Sequence, residues 1–323
     1  MSSNYKILVV MDVLKEHKET LAAAAGNSEI CYVPAKDVTE ADLMDADMIV
    51  GNLDPKLLTY CKKLKLIQLN SAGTDGFTAK GILPEGAVLA NATGAYGLAI
   101  SEHMIGSLLC LMKKLDLYRL NQSKCEWKDE REVLSVYGSN TLIVGFGDIG
   151  SEFGIRMHAL GSKITAIRRT ASEKPDYVES MHTMDDFYSC LGQADIVASC
   201  LPGYMGTFNI FDDKAFDAMK DGAYFINVGR GSAVATQSLI KALESGKLKG
   251  AALDVTNPEP LPKDHKLWSM PNVLITPHVS GAYHVKYTHD KIIQIAANNI
   301  THLVNGEAFD NLVDMKYGYR KNH

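Results

Sequence analysis

Residues 140–150 read NTLIVGFGDIG, an apolar run followed at once by three glycines with the spacing G-x-G-x-x-G. The run predicts a buried strand, and SEFGIRMHALG (151–161) predicts a helix that stops at Gly161. The glycine string alone is a weak signal, but here it lies at a strand-to-helix turn. That context is typical of a dinucleotide-binding fold.

Each glycine of this turn has a predicted task. Gly145 permits the tight turn, Gly147 lets the backbone approach a pyrophosphate, and Gly150 lets the helix pack on the strand. Asp148 and Ile149 open the helix, whose free N–H groups and positive end would face the phosphates. A glycine-rich turn that binds no ligand is the alternative.

Around this turn, short apolar runs alternate with helical patterns, which predicts parallel sheets covered by helices on both faces. The second series suits a doubly wound cofactor domain of the Rossmann type. Its predicted strands are 140–146, 162–167, 195–200, 223–228, 250–255 and 272–277. An earlier series predicts another parallel sheet, with strands at 6–10, 29–33, 47–50, 66–69 and 87–91.

Three further segments complete the predicted organisation. Residues 98–120 are apolar nearly all round and predict one long buried helix between two domains. Residues 284–305 predict a last helix, and the polar tail 314–323 is expected to be peripheral.

Composition narrows the class of protein. A chain of 323 residues with 46% hydrophobic and 22% charged residues predicts two globular domains. The net charge of −5, without a long run of Lys and Arg, argues against a nucleic-acid partner. No run approaches the roughly 18 apolar residues of a membrane span, and no secretory signal is evident, so the cytoplasm is expected. Six cysteines without a C-x-x-C pair favour neither a metal site nor disulfides.

The second strand of the cofactor domain ends in Arg168, Arg169 and Thr170. A site selective for NAD would carry an Asp or Glu there to bind the ribose hydroxyls. Two guanidinium groups instead suit a 2′-phosphate, so the sequence predicts a preference for NADP(H) over NAD(H). The alternative is that both arginines are simply solvated.

Three polar residues follow the later strands of this domain: Arg230, Glu259 and His278. In a doubly wound sheet the carboxyl ends of the strands face the ligand crevice, so the three can converge beside a nicotinamide. Taken singly, each has a structural alternative: an ion pair for Arg230, turn chemistry for Glu259 and a satisfied loop residue for His278. Their joint occurrence at three strand ends favours catalysis.

With these motifs the sequence resembles the D-isomer-specific 2-hydroxyacid dehydrogenases, which use NAD(P). The resemblance covers nearly the whole chain. It is carried, in order, by SAGTDG (71–76), ISEHMIG (100–106), GFGDIG (145–150), LPGYMGT (201–207), INVGRGSAV (226–234), GAALDVTNPEPLP (250–262), HKLW (265–268) and NVLITPHVSG (272–281).

The resemblance implies an enzyme that reduces a 2-oxo acid to the D-2-hydroxy acid. Arg230 would bind the substrate carboxylate and polarise the ketone, which the glycines on either side give it room to do. His278 would be the general acid. Glu259 would orient that imidazole and hold it protonated, because a carboxylate favours the charged form of a neighbouring histidine.

The resemblance also implies binding residues. Ser71, Ala72 and Gly73 would hold the substrate carboxylate through backbone N–H groups. Tyr96 and Tyr283 would contact the substrate side chain, or alternatively pack at an interface. Cofactor contacts are implied for Leu201, Pro202, Thr207 near the pyrophosphate, Val228, Gly229, Asp254 near the carboxamide, and Gly281.

The implied architecture is a flavodoxin-like substrate domain, residues 1–99 plus 283–323, with the cofactor domain, residues 100–282, inserted in it. The buried helix and the family indicate a homodimer. A non-catalytic NAD(P)-sensing corepressor of the same fold is the rival hypothesis, and formate or phosphite dehydrogenases are a neighbouring class. Formate enzymes would be expected to carry glutamine in place of Glu259. The sequence leaves open which 2-oxo acid is used and in which direction.

Overall fold

The computed structural model describes residues 4–170 and 173–321. Within it the chain forms two compact units. The first contains the residues up to Tyr96 and those from Tyr283 onward, and the second runs from Gly97 to Ala282. Compared with the predicted domains, the first change of unit comes after residue 96 instead of 99. Residues 1–3 and 322–323 of the predicted substrate domain lie outside the described part of the chain.

Strands and helices alternate along most of the chain. The strands are β1 (Lys6–Val9), β2 (Glu29–Tyr32), β3 (Met48–Val50), β4 (Leu66–Gln68), β5 (Val88–Ala90), β6 (Asn140–Val144), β7 (Lys163–Ile167), β8 (Ser180–His182), β9 (Ile196–Ser199), β10 (Ala223–Asn227), β11 (Leu248–Leu253), β12 (Val273–Ile275), β13 (Val313–Asp314) and β14 (Tyr319–Arg320). The helices are α1 (Lys15–Ala25), α2 (Glu40–Met44), α3 (Gly97–Met112), α4 (Leu115–Ser123), α5 (Asp148–Ala159), α6 (Phe187–Leu191), α7 (Asp213–Ala218), α8 (Thr236–Glu244) and α9 (Lys286–Asn305).

The first unit is built on a parallel sheet with the strand order β2-β1-β3-β4-β5. This is the flavodoxin-like order. Leu8, Ile49 and Ile67 lie side by side across three neighbouring strands and are fully buried, so their apolar side chains build one core of the unit. Helix α9 packs against α1 in the same unit.

The second unit contains a parallel sheet of seven strands in the order β12-β11-β10-β9-β6-β7-β8. Counted from β6, this is the doubly wound order 3-2-1-4-5-6 with a seventh strand added beyond the sixth. The prediction of parallel α/β sheets with a Rossmann-type domain is confirmed. Sequence reasoning missed β8, because its three residues, Ser-Met-His, form no apolar run.

The predicted helix over 98–120 is two helices, and that prediction was wrong in one respect. Helix α3 ends at Met112, and Lys114 adopts a left-handed conformation with φ +56° before α4 begins. The ammonium groups of Lys113 and Lys114 donate to the carbonyl oxygens of Leu134 and Glu130. Through these contacts, the segment that contains Glu130 and Leu134 lies beside the junction between α3 and α4. Helix α3 is buried along one face, whereas α4 leaves apolar side chains exposed.

The polar tail is also more integrated than expected. Strands β13 and β14 pair as an antiparallel hairpin, and Leu312 forms a bridge to Ala90 at the end of β5. The hydroxyl of Thr74 donates to the carbonyl oxygen of Gly318 at 2.6 Å, which ties the tail to the loop after β4. Over residues 4–170 and 173–321, no helix combines the length and the apolar character that spanning a bilayer would require.

Candidate active site

The turn from β6 into α5 is packed on its protein side and open on the other. Gly145 has φ +98°, and a Cβ there would lie 2.7 Å from the carbonyl oxygen of Cys200. A Cβ at Gly150 would lie 2.3 Å from the carbonyl oxygen of Gly145. At Gly147, by contrast, no heavy atom of the described residues other than Gly147 and its two chain neighbours lies within 4 Å of a Cβ position. The turn therefore fits a dinucleotide, whose pyrophosphate needs close access to the backbone.

Helix α5 starts at this opening. Asp148 and Ile149 form its first turn, where backbone N–H groups have no intrahelical acceptor. The helix has 12 residues, long enough to present a positive end to an anion.

The two arginines predicted to select the cofactor follow β7 directly. The backbone N–H of Arg168 donates to the carbonyl oxygen of His182 at 3.0 Å, which extends the pairing of β7 with β8. Arg168 is partly buried, whereas Arg169 and Thr170 are exposed. This end of the sheet carries no Asp or Glu between residues 168 and 170.

The loops after β9 and β10 touch each other. A Cβ at Gly229 would lie 2.4 Å from the carbonyl oxygen of Leu201, so only glycine fits there. Both Leu201 and Val228 are buried. The Thr207 hydroxyl lies 2.7 Å from the carbonyl oxygen of Pro202 and 2.9 Å from that of Tyr204, and therefore donates its proton within its own loop.

Arg230 follows β10 in a segment that several hydrogen bonds stabilise. Its guanidinium Nη1 donates to the carbonyl oxygen of Gly229 at 2.8 Å. The Asn227 side chain donates to the carbonyl oxygen of Arg230 at 3.0 Å and accepts from the N–H of Gly229 at 3.2 Å. A Cβ at Gly231 would lie 1.9 Å from the carbonyl oxygen of Thr256, so glycine is required immediately after the arginine.

His278 and Glu259 are in direct contact. The imidazole Nδ1 and the carboxylate Oε1 are 2.6 Å apart, and the two side chains are 45% and 40% exposed. A carboxylate only accepts, so Nδ1 carries the proton and donates to Glu259. Within the described residues Nε2 has no protein partner. This imidazole is thus oriented by one nitrogen and presents the other outward.

The carboxylate of Asp254 accepts hydrogen bonds from donors within the protein. It accepts from the Thr276 hydroxyl at 2.6 Å, from the N–H groups of Val279 at 3.0 Å and Ser280 at 3.1 Å, and from the Ser280 hydroxyl. Asp254 is buried, and these four donors match the capacity of one carboxylate. Its side chain therefore holds the loop around His278, where the sequence suggested a cofactor contact. Gly281, at the end of that loop, is partly buried.

In the first unit, the loop after β4 has three N–H groups in sequence. The carbonyl oxygen of Ala72 accepts from the Asn91 side chain at 2.8 Å, and the Ser71 hydroxyl donates to the carbonyl oxygen of Gly73 at 2.6 Å. Asn52 donates to the Ser71 hydroxyl at 2.9 Å. Among the residues that the structure describes, the N–H groups of Ser71, Ala72 and Gly73 have no acceptor. Such a group of amides can bind an anion.

The two predicted substrate tyrosines differ in their surroundings. Tyr96 is buried, its hydroxyl donates to the carbonyl oxygen of Asn70, and burial raises its pKa. Tyr283 is only partly buried and lies with its ring 4.9 Å from that of His289. Tyr96 therefore stabilises the loop after β4 through Asn70, while Tyr283 remains partly accessible.

The structure thus gathers the predicted residues of the second unit at one edge. The strands β10, β11 and β12 are neighbours in the sheet, and each is followed at its carboxyl end by predicted residues. These are Arg230 after β10, Asp254 and Glu259 after β11, and His278 after β12. Sequence reasoning missed the roles of His103, Thr276 and Ser280, although all three lie inside motifs that carried the resemblance. Only their hydrogen bonds reveal them.

Comparison with known protein families gives one match over much of the chain. The model of the D-isomer specific 2-hydroxyacid dehydrogenase NAD binding domain matches residues 105–280. This range contains the glycine turn, the two arginines after β7 and the three residues at the strand ends.

Individual proteins match over longer stretches. An uncharacterised protein of Corynebacterium melassecola is 32% identical, with 86% of this chain and 91% of the relative covered. Glyoxylate/hydroxypyruvate reductase A of Salmonella newport is 32% identical, with 69% of this chain and 70% of the relative covered. A D-isomer specific 2-hydroxyacid dehydrogenase family protein from Aeromonas salmonicida has a similar solved structure, with a TM-score of 0.85 at 30% identity. That match covers 97% of this chain and 100% of the other.

Proposed function

The chain belongs to the D-isomer-specific 2-hydroxyacid dehydrogenases, a family of NAD-binding oxidoreductases that act on small hydroxy acids, and we propose that it reduces a 2-oxo acid to the D-2-hydroxy acid with NADPH. One observation carries the proposal. His278 is held through Nδ1 by Glu259 at 2.6 Å and presents Nε2 outward, at the sheet edge that also carries Arg230.

The roles of the three side chains follow from this arrangement. His278 is the general acid and donates the Nε2 proton to the carbonyl oxygen of the substrate as that oxygen gains charge. Glu259 keeps the ring oriented through its hydrogen bond with Nδ1. Arg230 binds the substrate carboxylate with two parallel N–H donors and withdraws charge from the adjacent ketone. The nicotinamide cofactor, when bound, supplies the hydride to the carbonyl carbon.

The first unit offers its own candidate contacts for an anion. The amides of Ser71, Ala72 and Gly73 are the proposed contacts of the first unit with the carboxylate, since a row of N–H groups suits an anion. Tyr283 is the better candidate for the substrate side chain, because the Tyr96 hydroxyl already binds the carbonyl oxygen of Asn70. The cofactor contacts predicted for Leu201, Pro202, Thr207, Val228, Gly229 and Gly281 are retained as proposals, whereas the Asp254 carboxylate already accepts from four protein donors.

NADPH is proposed as the preferred cofactor because of Arg168 and Arg169. A guanidinium binds phosphate with paired hydrogen bonds, whereas a ribose diol is bound better by a carboxylate. The strand end that would carry this carboxylate has none in this chain. Discrimination of about tenfold or more in kcat/KM is expected from one such charge-assisted contact, worth roughly 1.5 to 3 kcal/mol.

A panel of 2-oxo acids tests the reaction and the cofactor together. Loss of NADPH absorbance would be measured with glyoxylate, hydroxypyruvate, phenylpyruvate and branched 2-oxo acids, and repeated with NADH. The name of the Salmonella newport relative makes glyoxylate and hydroxypyruvate the first choices. Turnover of at least one acid, with NADPH preferred, is expected. Equal kcat/KM with both cofactors would reject the role of the arginines. Tight binding of NADPH without turnover of any acid would favour the corepressor hypothesis instead.

A homodimer is proposed through what we call the arm, residues 115–137. Leu120 in α4 is 56% exposed, and Trp127 and Tyr137 are more exposed still. Two hydrogen bonds join α4 to the segment that follows it, because Asn121 donates to the Glu130 carboxylate at 2.7 Å and the Glu130 N–H donates to the Tyr118 hydroxyl at 3.1 Å. A surface with several large exposed apolar groups suits association with a second copy.

The double variant L120E/W127E should therefore be monomeric. Light scattering after size exclusion would give a mass of about twice 35.3 kDa for the unchanged chain and about 35.3 kDa for the variant. M44E, which alters an exposed apolar residue of α2 outside the arm, is the matched control and should remain dimeric. An unchanged chain that elutes as a monomer, or a dimeric double variant, would exclude the arm as the interface.

A further inference from the structure

A line of polar side chains runs from α3 to the carboxylate that holds the His278 loop. The imidazole Nε2 of His103 lies 3.1 Å from the Thr276 hydroxyl oxygen, which lies 2.6 Å from Asp254 Oδ1. His103 itself is 4.0 Å from that carboxylate oxygen. The Thr276 hydroxyl thus stands between the histidine and the aspartate.

The direction of each hydrogen bond follows from the available protons. A carboxylate only accepts, so the single hydroxyl proton of Thr276 goes to Asp254. The Thr276 oxygen can then only accept from His103, whose Nε2 must carry the proton. Helix α3 therefore donates to Thr276, and Thr276 donates to Asp254.

Asp254 holds the chain on both sides of His278. Thr276 lies two residues before the histidine, and Val279 and Ser280, whose N–H groups donate to Asp254, directly follow it. The His278 N–H donates to the backbone oxygen of Asp254 at 2.8 Å. His278 has φ +53°, a left-handed conformation that is uncommon for a residue with a Cβ. Such a conformation persists where the surrounding bonds hold it in place.

Burial makes this arrangement sensitive to the loss of one donor. The Asp254 side chain is 1% exposed, so water cannot readily replace the Thr276 hydroxyl. The His103 side chain, which donates to the Thr276 hydroxyl, is 25% exposed. A missing hydroxyl would leave the carboxylate short of one donor and free to turn, and the His278 backbone would move with it.

From this geometry we propose that Thr276 and His103 are positioning residues for the reaction, which set the direction of the His278 imidazole through Asp254. The inference rests on the proposed function, in which His278 is the general acid. Neither residue is assigned a contact with substrate or cofactor.

Variants at Thr276 test the inference most sharply. T276V keeps the shape of the side chain and removes the hydroxyl, whereas T276S keeps the hydroxyl. A displacement of the acid of about 1 Å can cost roughly 10²-fold in rate, so kcat of T276V is expected to fall by about 10- to 100-fold. T276S should retain most of the activity, and the affinity for NADPH should stay within about twofold. H103L and H103Q form a second pair, since only Gln restores a donor at the Nε2 position.

The matched control is T141V. The Thr141 hydroxyl is also buried and hydrogen-bonded, to Ser162 at 2.7 Å, but it lies at the start of β6 and has no link to His278. It should lose stability without loss of kcat. In the H278A background, T276V should cause no further loss of kcat, because the group that it positions is gone. Equal activity of T276V and the unchanged enzyme, or additive losses in the double variant, would overturn the inference.

A spectroscopic measurement separates this inference from the proposed function. Long-range ¹H–¹⁵N spectra of protein labelled at histidine report the His278 ring, whose signals are identified by their absence in H278A. T276V should shift these signals, and T141V should not. If the unchanged protein reduces no 2-oxo acid, the proposed function fails, and the spectra still decide whether Thr276 positions His278. Unshifted signals in T276V would reject the positioning role in either case.

Discussion

H278A is expected to lower kcat for 2-oxo acid reduction by about 10²- to 10⁴-fold, the range that a positioned general acid contributes. The physical reason lies in the two ring nitrogens. Nδ1 is occupied by Glu259 at 2.6 Å, so only Nε2 remains to protonate the developing alkoxide. Without it, the substrate oxygen must take its proton from water.

The measurement is steady-state turnover with saturating NADPH and the best acid from the panel, together with NADPH affinity from fluorescence titration. Affinity for the cofactor should be nearly unchanged, because the imidazole is not proposed to bind it. H158A is the matched control: His158 lies exposed on the last turn of α5, in the same unit, and its loss should leave kcat within about twofold. An H278A enzyme that turns over normally would remove His278 from the mechanism.

R230M should lower kcat/KM by about 10²- to 10⁴-fold. Two charge-assisted hydrogen bonds to a carboxylate, at roughly 1.5 to 3 kcal/mol each, correspond to this range. In the proposed function Arg230 binds the substrate carboxylate both before and during the reaction, so much of the loss should appear as a raised KM. R230K keeps the positive charge but loses the paired hydrogen-bond geometry. Its kcat/KM should therefore lie between those of R230M and the unchanged enzyme.

The control for this substitution is R156M. Arg156 lies on α5 and pairs with Glu152 at 2.5 Å, so its loss removes an ion pair of the same unit away from the candidate site. Its kinetic constants should stay close to those of the unchanged enzyme. A substrate KM and a kcat that are both unaffected in R230M would show that Arg230 has a structural task only.

The location of the candidate site was more predictable from sequence than its internal contacts. Parallel strands place their carboxyl ends at one edge, so residues following β10, β11 and β12 had to be neighbours once the strands were recognised. The 2.6 Å contact between Glu259 and His278 agrees with that reasoning. The task of Asp254 did not follow from it, because its partners Thr276, Val279 and Ser280 are more than twenty residues away in the chain.

In the fold, too, some features could be predicted from the sequence and others could not. The strand β6, the glycine turn and α5 were readable because local periodicity and backbone freedom reveal them. Strand β8 was missed because three residues of mixed polarity acquire their conformation by pairing with β7. The predicted long helix was divided at Lys114, where the left-handed backbone interrupts the helix and the Leu134 N–H donates to the carbonyl oxygen of Met112 at 3.2 Å.

By itself, the sequence determined the α/β class, the dinucleotide-binding turn and the edge of the sheet at which the polar residues gather. Each depends on short-range patterns, since burial periodicity and the steric freedom of glycine are properties of neighbouring residues. Tertiary structure alone decided which donors fill the Asp254 carboxylate, which nitrogen of His278 stays accessible and where the apolar side chains of the arm remain uncovered. Hydrogen bonds and surface exposure join residues far apart in the chain, and they exist only once the strands have packed.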